Sequence, residues 1–308
     1  MVKNIKNYVC GPITHNVLYK PVSGVKYSDF IKTFNDIGMF VEMMPSNNGV
    51  IIEIPNDEIK NVKFKDLLKS KEFAKSTATL PIILGVDVFG VPVIKDLHNF
   101  PHLLIGGKTG AGKTVLLKNI YESLSHKFSS SQCKFVIIDP KAYDFTKYGK
   151  NKNMLMPVIT EPDESFNVFN QIIDILDCRY EILHKNKMRN ITEYNKKYND
   201  MPYIIILIDE MADLSALNKK QFESFVQTIT QKARAVGIHL IMATQRFDRS
   251  VITGVISANM PTRICFKTRD KKDSVLVLGE NGAELLTTTG DMLYSEAGRY
   301  PQRIVCGK

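Results

Sequence analysis

A strand, a glycine-rich turn and a helix are written in that order into residues 101–124. The apolar run PHLLIG (101–106) leads into GKTGAGKT (107–114), and TVLLKNIYESL (114–124) follows with helical spacing. The turn has the pattern GxxxxGK[ST], running from Gly107 through Gly112 to Lys113 and Thr114. Glycines let successive backbone N–H groups converge on a phosphate, and the helix N-terminus adds about half a positive charge at the same point. Gly107, Lys108, Thr109, Gly110, Ala111, Gly112, Lys113 and Thr114 are therefore the candidate nucleotide-binding residues. Lys113 is expected to reach the β- and γ-phosphates of ATP, and Thr114 to offer its hydroxyl to Mg²⁺. A glycine-rich turn before an exposed lysine is the plainer alternative; the complete match in its strand–loop–helix setting counts against it.

A second polar element complements the first. The run YIIILIDE (203–210) is an apolar strand ending in two acids. Carboxylates at the carboxyl end of a buried parallel strand lie where α/β folds bind ligands. Asp209 fits the role of metal-holding acid and Glu210 that of the base that orients or deprotonates the attacking water. Gln245 follows the strand HLIMAT (239–244), where its amide is placed either to sense a γ-phosphate or to cap a turn.

Around these elements the pattern is regular. Short apolar runs at 102–105, 135–138, 203–208, 239–242 and 263–266 alternate with helix-length segments at 113–127, 164–184 and 220–236. That alternation predicts a parallel sheet covered on both faces. Ahead of it, residues 28–37 place Phe30, Ile31, Phe34 and Ile37 on one helical face, and 39–44 and 50–55 flank the turn sequence PSNNG as a β-hairpin. The expected organisation is a small α+β domain over residues 1–80 and an α/β domain over 81–308.

Composition narrows the functional classes. No apolar run approaches the ~18 residues of a membrane span, and the first residues lack a signal-peptide core, so a cytoplasmic protein is expected. The formal charge of +9 suits a polyanionic partner without naming one. Five widely spaced cysteines form no CxxC pair, which predicts buried reduced thiols rather than a zinc site or disulfides.

Several segments together carry a family likeness: PHLLIGGKTGAGKT, IIDPK (137–141), YIIILIDEMADL (203–214), ARAVGIHLIMATQR (233–246), VITGVISANMPTRICF (251–266) and GDMLY (290–294). In order and spacing they resemble the motor of the FtsK/SpoIIIE DNA translocases. CGPITHN (10–16), SGVKYSDF (23–30) and the hairpin ending in IIEIPN (51–56) are similar to that family's small leading domain. The resemblance implies a RecA-like P-loop NTPase with a parallel-rich central sheet, assembled as a hexameric ring around double-stranded DNA and driven by ATP hydrolysis. It implies that Arg234 acts as a finger toward a neighbouring subunit's nucleotide, with a helix-end arginine as the alternative. It also implies that Arg246 and Lys271 touch the DNA backbone.

Three positions depart from the family pattern: Phe247, Ser257 and Val275 stand where proline, lysine and arginine are frequent, and no role is carried over to them. The membrane region, linker and C-terminal winged helix of the cell-division members are not expected in this sequence, so loading and directionality are expected to come from a partner, from DNA topology, or not at all, a piece of a longer protein being the alternative. The implied function is ATP-dependent duplex-DNA translocation in segregation, transfer or packaging. The alternatives are a related ring ATPase that moves protein in secretion, which would need no basic channel, and a non-motor, nucleotide-dependent DNA-binding or assembly module in which ATP only locks subunits together.

Overall fold

The computed structural model describes residues 8–12, 14–19, 40–44, 49–56, 60–296 and 299–308. The five apolar runs become five parallel strands. These are β7 (His102–Gly106), β8 (Cys133–Ile138), β9 (Tyr203–Ile208), β10 (Ile238–Thr244) and β11 (Thr262–Phe266), ordered β11-β7-β10-β9-β8. Their alternate side chains enter two different cores, as the two-residue period of a strand requires. Leu104, Ile206, Ile208, Leu240 and Met242 pack on one face, beneath α4 (Pro162–Lys185), α6 (Met211–Leu217) and α7 (Lys219–Lys232). Leu103, Ile105, Ile205, Leu207 and Ile241 pack on the other, with Leu116, Leu117 and Ile120 of α3 (Lys113–Lys127). Burial on both faces explains why the strands read as unbroken apolar runs rather than alternating ones.

Four further strands extend this sheet antiparallel from β11: β12 (Asp291–Ser295), β13 (Gln302–Val305), β5 (Pro81–Asp87) and β6 (Pro92–Asp96). β13 passes so close to β5 that a side chain at Gly85 would lie 2.0 Å from the Val305 carbonyl oxygen, and Gly85 also has φ +151°. Between β12 and β13, Asp291 and Arg303 form a two-pronged ion pair at 3.0 and 2.6 Å, both residues being buried. The result is a mixed, parallel-rich nine-stranded sheet.

The short helices α1 (Phe64–Leu68) and α2 (Lys71–Ala74) pack Phe64, Leu67 and Phe73 on Ile83, Val86 and Val305 of this same sheet. Residues 62–64 are also tied to the carboxyl end through Phe64 N–H to Lys308 O and Lys308 N–H to Val62 O, each 2.8 Å. Ahead of them, β1 (Tyr8–Cys10), β2 (Thr14–Tyr19), β3 (Phe40–Met44) and β4 (Gly49–Pro55) form a separate antiparallel sheet ordered β1-β2-β4-β3. The expected hairpin is present, with Met44 opposite Gly49. The helix expected at 28–37 lies outside the described residues.

The cysteine expectation needs correction: Cys133, Cys265 and Cys306 are buried, but Cys10 and Cys178 are exposed, Cys178 on the outer face of α4. Burial raises the Cys133 and Cys306 thiols to about 12, which keeps them protonated. Among the described residues, no helix is long and apolar enough to cross a membrane.

Candidate active site

Three neighbouring strands, β7, β10 and β9, deliver the polar groups to one end of the sheet. The loop after β7 turns at Gly112, whose φ of +124° is unfavourable for any residue with a side chain, and α3 starts at Lys113. Lys108, Thr109 and Gly110 are exposed, whereas Gly107 and Lys113 are buried. The Lys113 ammonium donates to Gly107 O at 2.6 Å and Lys108 O at 3.1 Å, so it lies against the loop's own carbonyls. Burial lowers its pKa to about 8, with Glu210 and Asp209 opposing the shift. A phosphate arriving beneath the loop replaces neutral carbonyl partners with an anion, which is the stronger contact for a partly desolvated cation.

Thr114 Oγ1 donates to Asp209 Oδ1 at 2.9 Å. The second Asp209 oxygen, Oδ2, lies 3.7 Å from the Lys141 ammonium. Burial raises the Asp209 pKa, against the Thr114 hydrogen bond and the Lys141 charge. A hydroxyl and a carboxylate converging on one point form the sparse oxygen set that Mg²⁺ accepts, the remaining ligands being water and phosphate. Among the described residues no group of three acidic, histidine or cysteine side chains forms a fuller metal cage. The donors present therefore fit a magnesium ion bound together with a nucleotide.

Glu210, beside it, is 1% exposed and caps α6. Its Oε1 accepts from Thr244 Oγ1 at 2.8 Å and from Ala212 N–H at 3.2 Å; its Oε2 accepts from Gln245 N–H at 3.1 Å. The Gln245 side chain reaches the phosphate loop itself, where its Oε1 accepts from Thr109 Oγ1 at 2.5 Å. Lys113, Thr114, Asp209, Glu210 and Gln245 are thus brought together.

Arg234 is not among them. It lies in the exposed turn after α7, before β10 begins, at the opposite end of the strands. Helix α7 stops at Lys232 because the chain must reverse through Gly237, so the helix expected to run to 236 is four residues shorter there. The seven residues of β10 put roughly 20 Å between Arg234 and Gln245.

Arg246 is exposed and 3.4 Å from Asp213. Lys271 opens α9 (Lys271–Leu278) on a groove of about 800 Å³ shared with Arg249, Arg263 and Lys272. Phe247, Ser257 and Val275, the three departures from the family pattern, line that same groove. Arg269 is turned instead onto Asp273, at 2.9 Å.

Two residues escaped the sequence reading. Lys141 lies in the IIDPK segment, but a single lysine gives no sign that it will meet Asp209. Thr244 precedes Gln245, and a threonine ending a strand looks like any β-branched residue.

Known proteins resemble this chain in sequence and in fold. The FtsK/SpoIIIE family pattern matches residues 63–249. The chain is 37% identical over 96% of its length to the DNA translocase FtsK of Haemophilus influenzae and 33% identical over 94% to that of Rickettsia typhi. It spans 63% and 45% of those two proteins. Among solved structures, it resembles the pCW3 conjugation coupling protein TcpA in a monomer form with ATPγS, with TM-score 0.70, 25% identity, and 98% of this chain and 88% of that one covered. The cytoplasmic domain of the Thermomonospora curvata type VII secretion ATPase EccC shares the fold at TM-score 0.70 and 23% identity, covering 80% of this chain and 32% of that one. The fold is that of a RecA-like P-loop ATPase, and the chain belongs to the FtsK/SpoIIIE family.

Proposed function

We propose that this chain is an ATP-dependent double-stranded DNA translocase motor, acting in the cytoplasm as a ring of identical subunits, with six as the expected number. The observation that carries this reading is the convergence of Lys113, Thr114, Asp209, Glu210 and Gln245 at one end of three adjacent strands. Lys113 binds the β- and γ-phosphates, Glu210 receives the proton of the attacking water and Gln245 senses the γ-phosphate from its place against Thr109. Thr114 and Asp209 hold Mg²⁺, which when bound neutralises charge developing on the transferred phosphoryl group.

Arg234, too far from its own phosphate loop to act there, serves a neighbouring subunit's nucleotide. That arrangement makes hydrolysis depend on subunit contact. Arg246 and Lys271, with Arg249 and Lys272, hold the DNA backbone at the same end of the sheet as the nucleotide. Their charge favours a polyanion over a polypeptide, and contacts to phosphate position DNA without reading its bases. We further propose two structural units. The packing of Phe64, Leu67 and Phe73 on the large sheet supports placing their boundary nearer residue 60 than 80.

Displacement of a triplex-forming strand tests the motor reading. The protein is expected to strip the third strand from a long duplex when ATP and Mg²⁺ are supplied and to leave it in place with ATPγS. Retention of the third strand under both conditions would reject it.

A further inference from the structure

Glu210 is held by three donors and almost wholly enclosed. Of the roughly four lone-pair positions a carboxylate offers, three are taken by protein groups. The one position left, on Oε2, is shut off from water by the enclosure of the side chain for as long as these donors hold the carboxylate in place.

The donors differ in how they can be released. Ala212 N–H belongs to the first turn of α6, which Glu210 itself caps, so that bond is fixed by the helix. The other two come from consecutive residues, Thr244 and Gln245, where β10 ends. Thr244 is fully buried, and its hydroxyl both donates to Glu210 and accepts from Arg246 N–H at 3.0 Å. Arg246 in turn places its guanidinium 3.4 Å from Asp213, on the helix that Glu210 caps. The chain of contacts is therefore closed: Glu210 to Thr244, Thr244 to Arg246, Arg246 to Asp213, and Asp213 back through α6 to Glu210.

We propose that Thr244 is a positioning residue that holds Glu210 withdrawn from water, and that a polyanion captured by Arg246 releases it. The Arg246–Asp213 pair is exposed, with side chains 58% and 33% accessible, so it is weak and exchangeable. Phosphates that draw Arg246 from Asp213 shift the backbone at Arg246, whose N–H is bonded to the Thr244 hydroxyl. Loss of that bond frees the hydroxyl to turn from Glu210. Ligand binding here acts by favouring the released arrangement over the held one. This inference rests on Glu210 being the group that acts on water.

The test uses the full chain and its Thr244→Val, Thr244→Ser and Glu210→Gln variants, each assayed for phosphate release with and without duplex DNA and for affinity toward a fluorescent ATP analogue. Valine keeps the shape of threonine and removes the hydroxyl. The expected result is that T244V raises kcat without DNA by about fivefold or more, leaves KM within about twofold, and loses stimulation by DNA in the same proportion, while T244S behaves as the native chain. Amide hydrogen exchange at Gln245 in the native protein supplies a readout independent of turnover, and it is expected to quicken when duplex DNA is added. Native-like basal rate and stimulation in T244V, or its loss of turnover with nucleotide affinity retained, would overturn the proposal. Unchanged exchange at Gln245 would overturn it too. Turnover by E210Q would instead remove the underlying reading of Glu210, and the proposal with it.

Discussion

Thr114 Oγ1 lies 2.9 Å from Asp209 Oδ1 although 95 residues separate the two in sequence. The contact exists because β7 and β9 flank β10 in parallel, so the loop after one and the acid after the other emerge at the same edge. Parallel pairing is what converts two separate sequence motifs into one oxygen pair.

That pair predicts a specific dependence on metal. Replacing Asp209 with Asn, or Thr114 with Ala, removes one metal-directed oxygen contact. Nucleotide affinity measured with Mg²⁺ and then with EDTA should differ by at least about tenfold less in either variant than in the native chain. An unaltered ratio in D209N would show that Asp209 does not face the metal.

The placement of Arg234 predicts complementation between damaged subunits. Lys113→Ala removes the phosphate contact and Arg234→Ala the finger, so each variant alone should hydrolyse little ATP. Mixed in equal amounts, intact phosphate loops meet intact Arg234 side chains across subunit contacts, and a sizeable fraction of the native rate should return. Two inactive proteins that stay inactive when mixed, with exchange of subunits verified, would place Arg234 outside the reaction.

Much of this architecture was legible beforehand, and the reason is physical. Doubly covered parallel strands must be apolar throughout, so Tyr203–Ile208 announces itself and its limits match the observed strand. The phosphate loop is contiguous, so its chemistry can be read from spacing alone. The antiparallel strands gave no such signal. β5 is completed by β13, with Ile304 opposite Asp87, and nothing local in either segment names the other. The clasp on Glu210 was hidden for the same reason, because it depends on which way the Thr244 hydroxyl points at the end of a different strand.

The buried pair between β12 and β13 predicts where the sheet is most vulnerable. Asp291→Ala leaves the Arg303 charge enclosed without its two-pronged partner. The expected loss is about 3–5 kcal/mol in a denaturant titration. A loss below about 1 kcal/mol would mean that Arg303 finds compensation elsewhere.

Two buried imidazoles predict a dependence of stability on pH. Leu240 N–H donates to His102 Nδ1 at 3.1 Å, and His239 Nδ1 lies 3.2 Å from Pro101 O. Burial lowers the His102 pKa to about 3 and that of His239 well below the usual range. Above the unfolded value of about 6.5 neither state is protonated and the full stability is present. Below it the unfolded chain takes up protons that the folded one refuses. Stability should therefore fall by about 1.4 kcal/mol per pH unit for each histidine as pH drops from 6.5 toward the depressed values. Comparing denaturation midpoints at pH 7.5 and 5.5 checks this; His102→Asn, which keeps an acceptor for Leu240 N–H, should lose less stability over that interval than the native chain. Equal losses would contradict it.

Phosphate release by the purified chain, followed with and without long duplex DNA across a series of salt concentrations, reaches the central claim most directly. A motor that grips the duplex through phosphate contacts should hydrolyse ATP several times faster with DNA present, and that gain should fade steeply as salt rises. A rate identical with and without duplex at every salt concentration would contradict the account.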